Sequence, residues 1–133
     1  MFIDAVIIKG APYTTRTVSI SVNENKDGRT FVPFDLSDYN VHFCIKGSST
    51  LDGKTLIEKV ITGNSDAQTI GNINDPANGQ FSFTITKEDT ELLGLGRFPI
   101  AITLHDAATD EYSFTLTEGG LNGEFNSIQI VQV

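Results

Sequence analysis

The sequence predicts an all-β domain: an antiparallel sandwich of about eight short strands with one short helix. Three observations carry that expectation. Apolar and polar residues alternate with period two along most of the chain, which buries one face of a strand and wets the other. Of the 133 residues, 49 are the strand-favouring types Val, Ile, Thr, Phe or Tyr, whereas Ala and Leu together number 16, too few for a helical bundle. Turn residues also separate the alternating runs at short intervals. At this length one domain, residues 1–133, is expected, with folding burying about two-thirds of the unfolded chain's surface.

The elements follow in order. Met1 to Ile8 reads as a first strand and carries Phe2, Ile3, Val6, Ile7 and Ile8. It is too apolar on both faces for a free edge, so a neighbouring sheet or another subunit must cover it. Val18, Ile20 and Val22 alternate with serines; Val41, Phe43 and Ile45 alternate with His42 and Cys44. Phe81, Phe83 and Ile85 follow, then Phe98, Ile100, Ile102 and Leu104, then Tyr112, Phe114 and Leu116. Ile128 and Ile130 open a last strand, where Val131 and Val133 shift the phase and suggest a bulge or burial on both faces. Lys26-Asp27-Gly28, Asp52-Gly53, Asp75-Pro76-Ala77-Asn78-Gly79 and Asn122-Gly123 are turns, because Gly accepts positive φ, Asn and Asp tolerate it, and Pro presets φ. The helix runs through Lys87 to Leu93: the Thr86 hydroxyl can accept from the amide of Asp89, and Gly94 and Gly96 end the turn. The connections 46–54 and 62–79 are long enough to cross between sheets. The expected core is Val18, Ile20, Val41, Phe43, Ile45, Phe81, Phe83, Ile85, Phe98, Ile100, Ile102, Phe114 and Leu116.

Charge and composition exclude several functions. A net charge of −8 repels phosphate backbones, so no nucleic-acid partner is expected. No apolar run approaches the roughly 18 residues of a membrane span. The N-terminus lacks a basic n-region, having Asp4 in its place, so no secretory leader is expected and synthesis is assigned to a cytoplasm. Cys44 is the single cysteine, so no internal disulfide forms.

Candidate chemistry is sparse. His42 and Cys44 share a strand face, roughly 6–7 Å apart along the strand. They offer a Cys-His dyad or half of a zinc site, but zinc takes three or four ligands and no sequence spacing supplies the rest. A satisfied His beside a small apolar Cys is the expectation, with no metal and no cofactor. An enzyme would need His42 or His105 and several carboxylates converging in one pocket; the chain is expected not to be an enzyme. Residues 23–28 resemble the start of a calcium loop, but its closing position is Phe34 instead of Glu, so a polar hairpin tip is expected. Gly94-Leu95-Gly96 follows a helix instead of opening one, so it is a C-cap and not a phosphate cradle.

Two segments carry a family pattern. Phe34-Asp35-Leu36-Ser37-Asp38-Tyr39-Asn40-Val41-His42-Phe43-Cys44-Ile45-Lys46 is one; Asp75 to Ile85, continuing through the short helix to Leu95-Gly96-Arg97-Phe98-Pro99-Ile100-Ala101-Ile102-Thr103-Leu104, is the other. Together they resemble the immunoglobulin-like domain of bacteriophage tail and baseplate proteins, notably the N-terminal domain of the upper baseplate protein, over about residues 34–117. The resemblance implies an immunoglobulin-like sandwich and a non-enzymatic structural protein of a phage or prophage virion, a tail or baseplate component made in the host cytoplasm. Its partners would be other virion structural proteins, with a homo-oligomer in the assembled particle. Phe2, Ile3, Val6 and Ile8 are the candidate assembly contact. This sequence departs from the pattern in ending at Val133, before a second region, and in carrying Phe98 where Tyr is commoner. Pro99 removes a ladder donor and places its strand at an edge or a bulge. The alternatives are a capsid decoration protein, or a carbohydrate-binding or adhesion module on the same fold. The last would need two of Tyr13, Tyr39 and Tyr112 on one exposed face.

Overall fold

The computed structural model describes residues 4–14, 18–23, 31–47, 54–116 and 127–132, with backbone alone at 4, 21–23, 31 and 114–116. In chain order the strands are β1 (Asp4–Ile8), β2 (Tyr13–Thr14), β3 (Val18–Ser19), β4 (Ser21–Asn23), β5 (Phe31–Pro33), β6 (Tyr39–Lys46), β7 (Thr55–Ile61), β8 (Gly71–Asp75), β9 (Gln80–Ile85), β10 (Gly96–Asp106), β11 (Tyr112–Leu116) and β12 (Ser127–Val131). The helix α1 (Lys87–Leu93) lies between β9 and β10, and one 3-10 turn, Pro76–Asn78, precedes β9.

Two sheets divide these strands. The larger has the order β1-β12-β10-β6-β7, with β11 also on β10; the smaller sets β2 and β3 in line against β9, with β8 also on β9. A β4–β5 hairpin stands beside them. All pairings are antiparallel except β1 with β12, which run parallel from Asp4↔Ser127 to Ile8↔Val131. The order β3-β9-β8 against β10-β6-β7, with β11 and β12 beyond β10, is the immunoglobulin arrangement of two sheets. The chain is an all-β, immunoglobulin-like sandwich with one short helix.

The core lies between the sheets, where Phe43 of β6 stacks on Phe83 of β9 with ring centroids 4.3 Å apart. Each fully buried aromatic or aliphatic side chain of this kind contributes about 2 kcal/mol through area removed from water. Of the expected core, Ile20, Val41, Phe43, Ile45, Phe81, Phe83, Ile85, Ile100 and Ile102 are buried, and Val18 and Phe98 pack partly buried against them. The side chains of Phe114 and Leu116 lie outside the described residues. Ala5, Ile7, Leu36, Ile61, Ile73, Leu104, Ile128 and Ile130 complete the core.

Two connections and one strand differ in part from expectation. Residues 46–54 do not cross between sheets: they join β6 to β7, neighbours in register from Val41↔Ile61 to Lys46↔Thr55. Residues 62–79 do cross, but contain β8, which alternation does not announce because only Ile73 of Gly71–Asp75 is a buried apolar side chain. β12 holds an unbroken register through Val131, so it carries no bulge there; Val133 lies outside the described residues. Pro99 sits where β10 hands over its pairing, from β12 at 96–99 to β6 from Ile100 onward.

The helix matches its sequence signature. Asp89 N donates to Thr86 Oγ1 at 3.1 Å, and Thr86 N donates to Asp89 Oδ2 at 2.8 Å, a reciprocal capping box. Gly79 needs its glycine: at φ +68° a Cβ would stand 2.6 Å from the carbonyl oxygens of both Ile20 and Phe34. The turns at 26–28, 52–53 and 122–123 lie outside the described residues, as does most of the 23–34 stretch read against a calcium loop.

Candidate functional site

The larger sheet turns one face to the core and one outward, and the outward face carries the functional candidates. β1 is its edge strand. Ala5 and Ile7 point inward and are buried, so period two sends Val6 and Ile8 outward, where they are 61% and 47% exposed. Among the described residues, β12 alone pairs with β1, which leaves the other edge of its ladder open. The first strand is therefore covered on its inner face only. Phe2 and Ile3 lie outside the described residues. Val131, half-buried, pairs with Ile8 across β12, and Leu95, 54% exposed, directly precedes the Gly96 that pairs with Ile130. The Gly10 amide donates to Thr90 Oγ1 at 2.8 Å, which brings α1 and its exposed Leu92 to the same end of the sheet. Apolar side chains thus gather at one end of an open edge.

The middle of the same face is polar. His42 faces outward from β6, in register with Val60 and Thr103, yet is 5% exposed. Its Nδ1 lies 2.9 Å from Glu58 Oε1 on β7, and its Nε2 lies 3.2 Å from Asp110 Oδ1. The His105 ring of β10 stacks on it with centroids 3.5 Å apart and planes at 14°. His105 Nδ1 is 3.3 Å from the Asp110 carbonyl oxygen and Nε2 is 3.2 Å from Thr103 Oγ1. A carbonyl only accepts, so Nδ1 of His105 carries the proton and Nε2 the lone pair, to which the Thr103 hydroxyl donates. Asp110 reaches the cluster because the turn after β10 folds tightly: Asp106 Oδ1 accepts from the amides of Ala108 and Thr109, and Asp110 takes φ +57°.

Cys44 stands beside this cluster without joining His42. Its thiol points to the other oxygen of the same carboxylate, Glu58 Oε2, at 3.9 Å. Burial pushes the thiol pKa up, and the Glu58 charge adds to the effect against a smaller opposing pull from Lys46. A thiolate nucleophile is disfavoured here, so the pair is no Cys-His dyad. Sequence spacing exposed only His42 and Cys44. The remaining members, Glu58, His105 and Asp110, come from two other strands and a turn, and only strand register brings them in.

On the inner face, Lys59 of β7 is 7% exposed and sequence reading passed it over. Its Nζ donates to Asp89 Oδ2 of the capping box and to the Thr69 carbonyl, both at 2.5 Å. Burial alone would raise the Asp89 pKa, but the hydrogen bonds from Lys59 and Thr86 and the Lys59 charge outweigh it and hold the carboxyl below its ordinary 3.8. The tyrosines share no exposed face: Tyr13 packs on Phe83, Tyr39 on Phe34, and Tyr112 alone is 61% exposed, edge-on to His105. No helix among the described residues is long and apolar enough to cross a membrane.

No family model and no curated protein matches the chain. Among solved structures it is similar to the NK cell receptor NKp44, a triggering partner in natural cytotoxicity, at 15% identity and a TM-score of 0.49, covering 98% of this chain and 99% of that one. A likeness at that level carries nothing about function, and the fold assignment stands on the strand order itself.

Proposed function

We propose that the chain is a non-enzymatic structural subunit of a phage or prophage virion, a tail or baseplate component that acts through protein–protein contacts. One observation carries this reading: an edge strand presents Val6 and Ile8 outward beside a ladder that no other described strand pairs, which suits strand addition by a neighbouring subunit. The resemblance over residues 34–117 supports it, and its structural residues occupy demanding positions, Leu36 at 1% exposure and Gly79 at positive φ. The separation of the tyrosines speaks against a sugar-binding platform. The occupant of the edge is a second copy of this chain or another virion protein of the same assembly, made in the host cytoplasm and carried in the virion. A net charge of −8 keeps free subunits apart until symmetry multiplies modest contacts.

Light scattering across a concentration series tests this. The full chain is expected to reach a defined oligomer, and the double variant Val6→Asp, Ile8→Asp to remain monomeric with its melting temperature nearly unchanged. A full chain that stays monomeric at every concentration overturns self-assembly through this edge.

A further inference from the structure

We propose that His42, His105 and Asp110 form a zinc site on the outer face of the larger sheet, with Glu58 orienting His42. One ligand atom from each of the three lies within 4.8 Å of the others. Zinc bonds of about 2.0–2.1 Å put neighbouring ligand atoms roughly 3.3 Å apart, so closure asks for movements of about an ångström. The Asp110 side chain, 67% exposed, and the half-buried His105 are free to make them. Closure also requires the His105 ring to tilt out of its stack and its Nε2 to release the Thr103 hydroxyl, because parallel rings aim their lone pairs side by side and the lone pair that would bind metal accepts from Thr103.

The surroundings of both rings fit metal ligation. A histidine that binds metal through Nε2 nearly always donates Nδ1–H to a carboxylate or backbone carbonyl. His42 has Glu58 at Nδ1 and His105 has the Asp110 carbonyl at Nδ1. Nε2 of His42 then points at Asp110 Oδ1, 3.2 Å away. With one proton, His42 can donate to only one of its two carboxylates, and the other contact sets lone pair against lone pair. With Nδ1–H given to Glu58, a cation between Nε2 and Asp110, either a second proton or a metal, removes that repulsion. Two imidazoles and one carboxylate match zinc better than calcium or magnesium, which prefer all-oxygen sets. Cys44 stands outside the set, its thiol turned to Glu58 Oε2 at 3.9 Å. Three protein ligands leave a fourth position open to solvent.

Zinc titration of the full chain by calorimetry, with competition against a chromogenic chelator, tests the site. The expected result is one zinc per chain and a melting temperature raised by zinc. His105→Ala and Asp110→Asn, both away from the core, should lose stoichiometric binding and with it the rise in melting temperature on adding zinc, each compared with its own melt in chelator. Glu58→Gln should weaken affinity about 10–100-fold. Cobalt in place of zinc should give visible absorption that the His105→Ala variant lacks. Absence of saturable binding, or binding unchanged in both His105→Ala and Asp110→Asn, overturns the proposal. So does a melting temperature that follows pH through the range of imidazole titration and ignores zinc, for then a proton shared among His42, His105, Glu58 and Asp110 fills the role.

Discussion

Two ends of one sheet face solve opposite problems. At the β1 end, Val6 and Ile8 are apolar and exposed; at the β6 centre, His42 is polar and buried. Period two puts all three on the outward face, so residue type does not decide their burial. Neighbours do. Among the described residues β1 has a partner on one side only, whereas His42 is flanked by β7 and β10 and covered by the Asp110 turn. A buried imidazole is tolerated because each nitrogen has a partner; an exposed Val–Ile pair persists only at the small cost of unburied area, or because something else covers it.

Lys59 sharpens the contrast and carries the largest expected effect. It is a charged side chain buried on the inner face, and Lys59→Ala should cost about 3 kcal/mol in urea unfolding by breaking a mostly buried ion pair. The same pair predicts the acid limb. The Asp89 carboxyl lies below 3.8 in the folded chain, so the unfolded chain takes up its proton first as pH drops. That stabilisation is full above the ordinary carboxylate value and is lost as pH falls through the folded one. The acid dependence of stability between about pH 5 and pH 3 should therefore be shallower in Lys59→Ala than in the parent; an identical slope would remove Lys59 from the account.

His42→Ala should be intermediate, about 2 kcal/mol, since it deletes the ring's contacts with two carboxylates and a stacked ring but leaves Glu58 about half and Asp110 about two-thirds exposed to water. Smallest is Val6→Ser. At concentrations where the chain is monomeric, thermal unfolding should move by no more than about 0.5 kcal/mol. A loss as large as that of His42→Ala would mean that Val6 is covered within the subunit, and the contrast between the two ends would fail.

The fold was legible where local chemistry suffices. Alternation located β6, β9 and β10, and Thr86 with Asp89 announced the helix and its capping box. β8 escaped because Gly71-Asn72-Ile73-Asn74-Asp75 carries one buried apolar side chain, and its strand state is imposed by pairing with β9. The polar cluster escaped for a related reason. His42 and Asp110 are 68 residues apart, and no periodicity in a sequence encodes which strands become neighbours. The requirement that His42 or His105 meet several carboxylates is met in part: both imidazoles converge with Glu58 and Asp110, but on a sheet face where those carboxylates stay about half and two-thirds exposed.

The parallel pairing of β1 with β12 has a consequence in time. β1 leaves the ribosome before the other described strands, yet its ladder partner β12 follows about 120 residues later, which at synthesis rates of 5–20 residues per second is a wait of roughly 6–24 s. Throughout that interval Ile7 lacks Ile130, and Val6 and Ile8 stand beside it on a strand with no partner at either edge. β1 therefore stays exposed for as long as β12 is unmade, and closing the sheet with β12 is the step that retires half of that hazard.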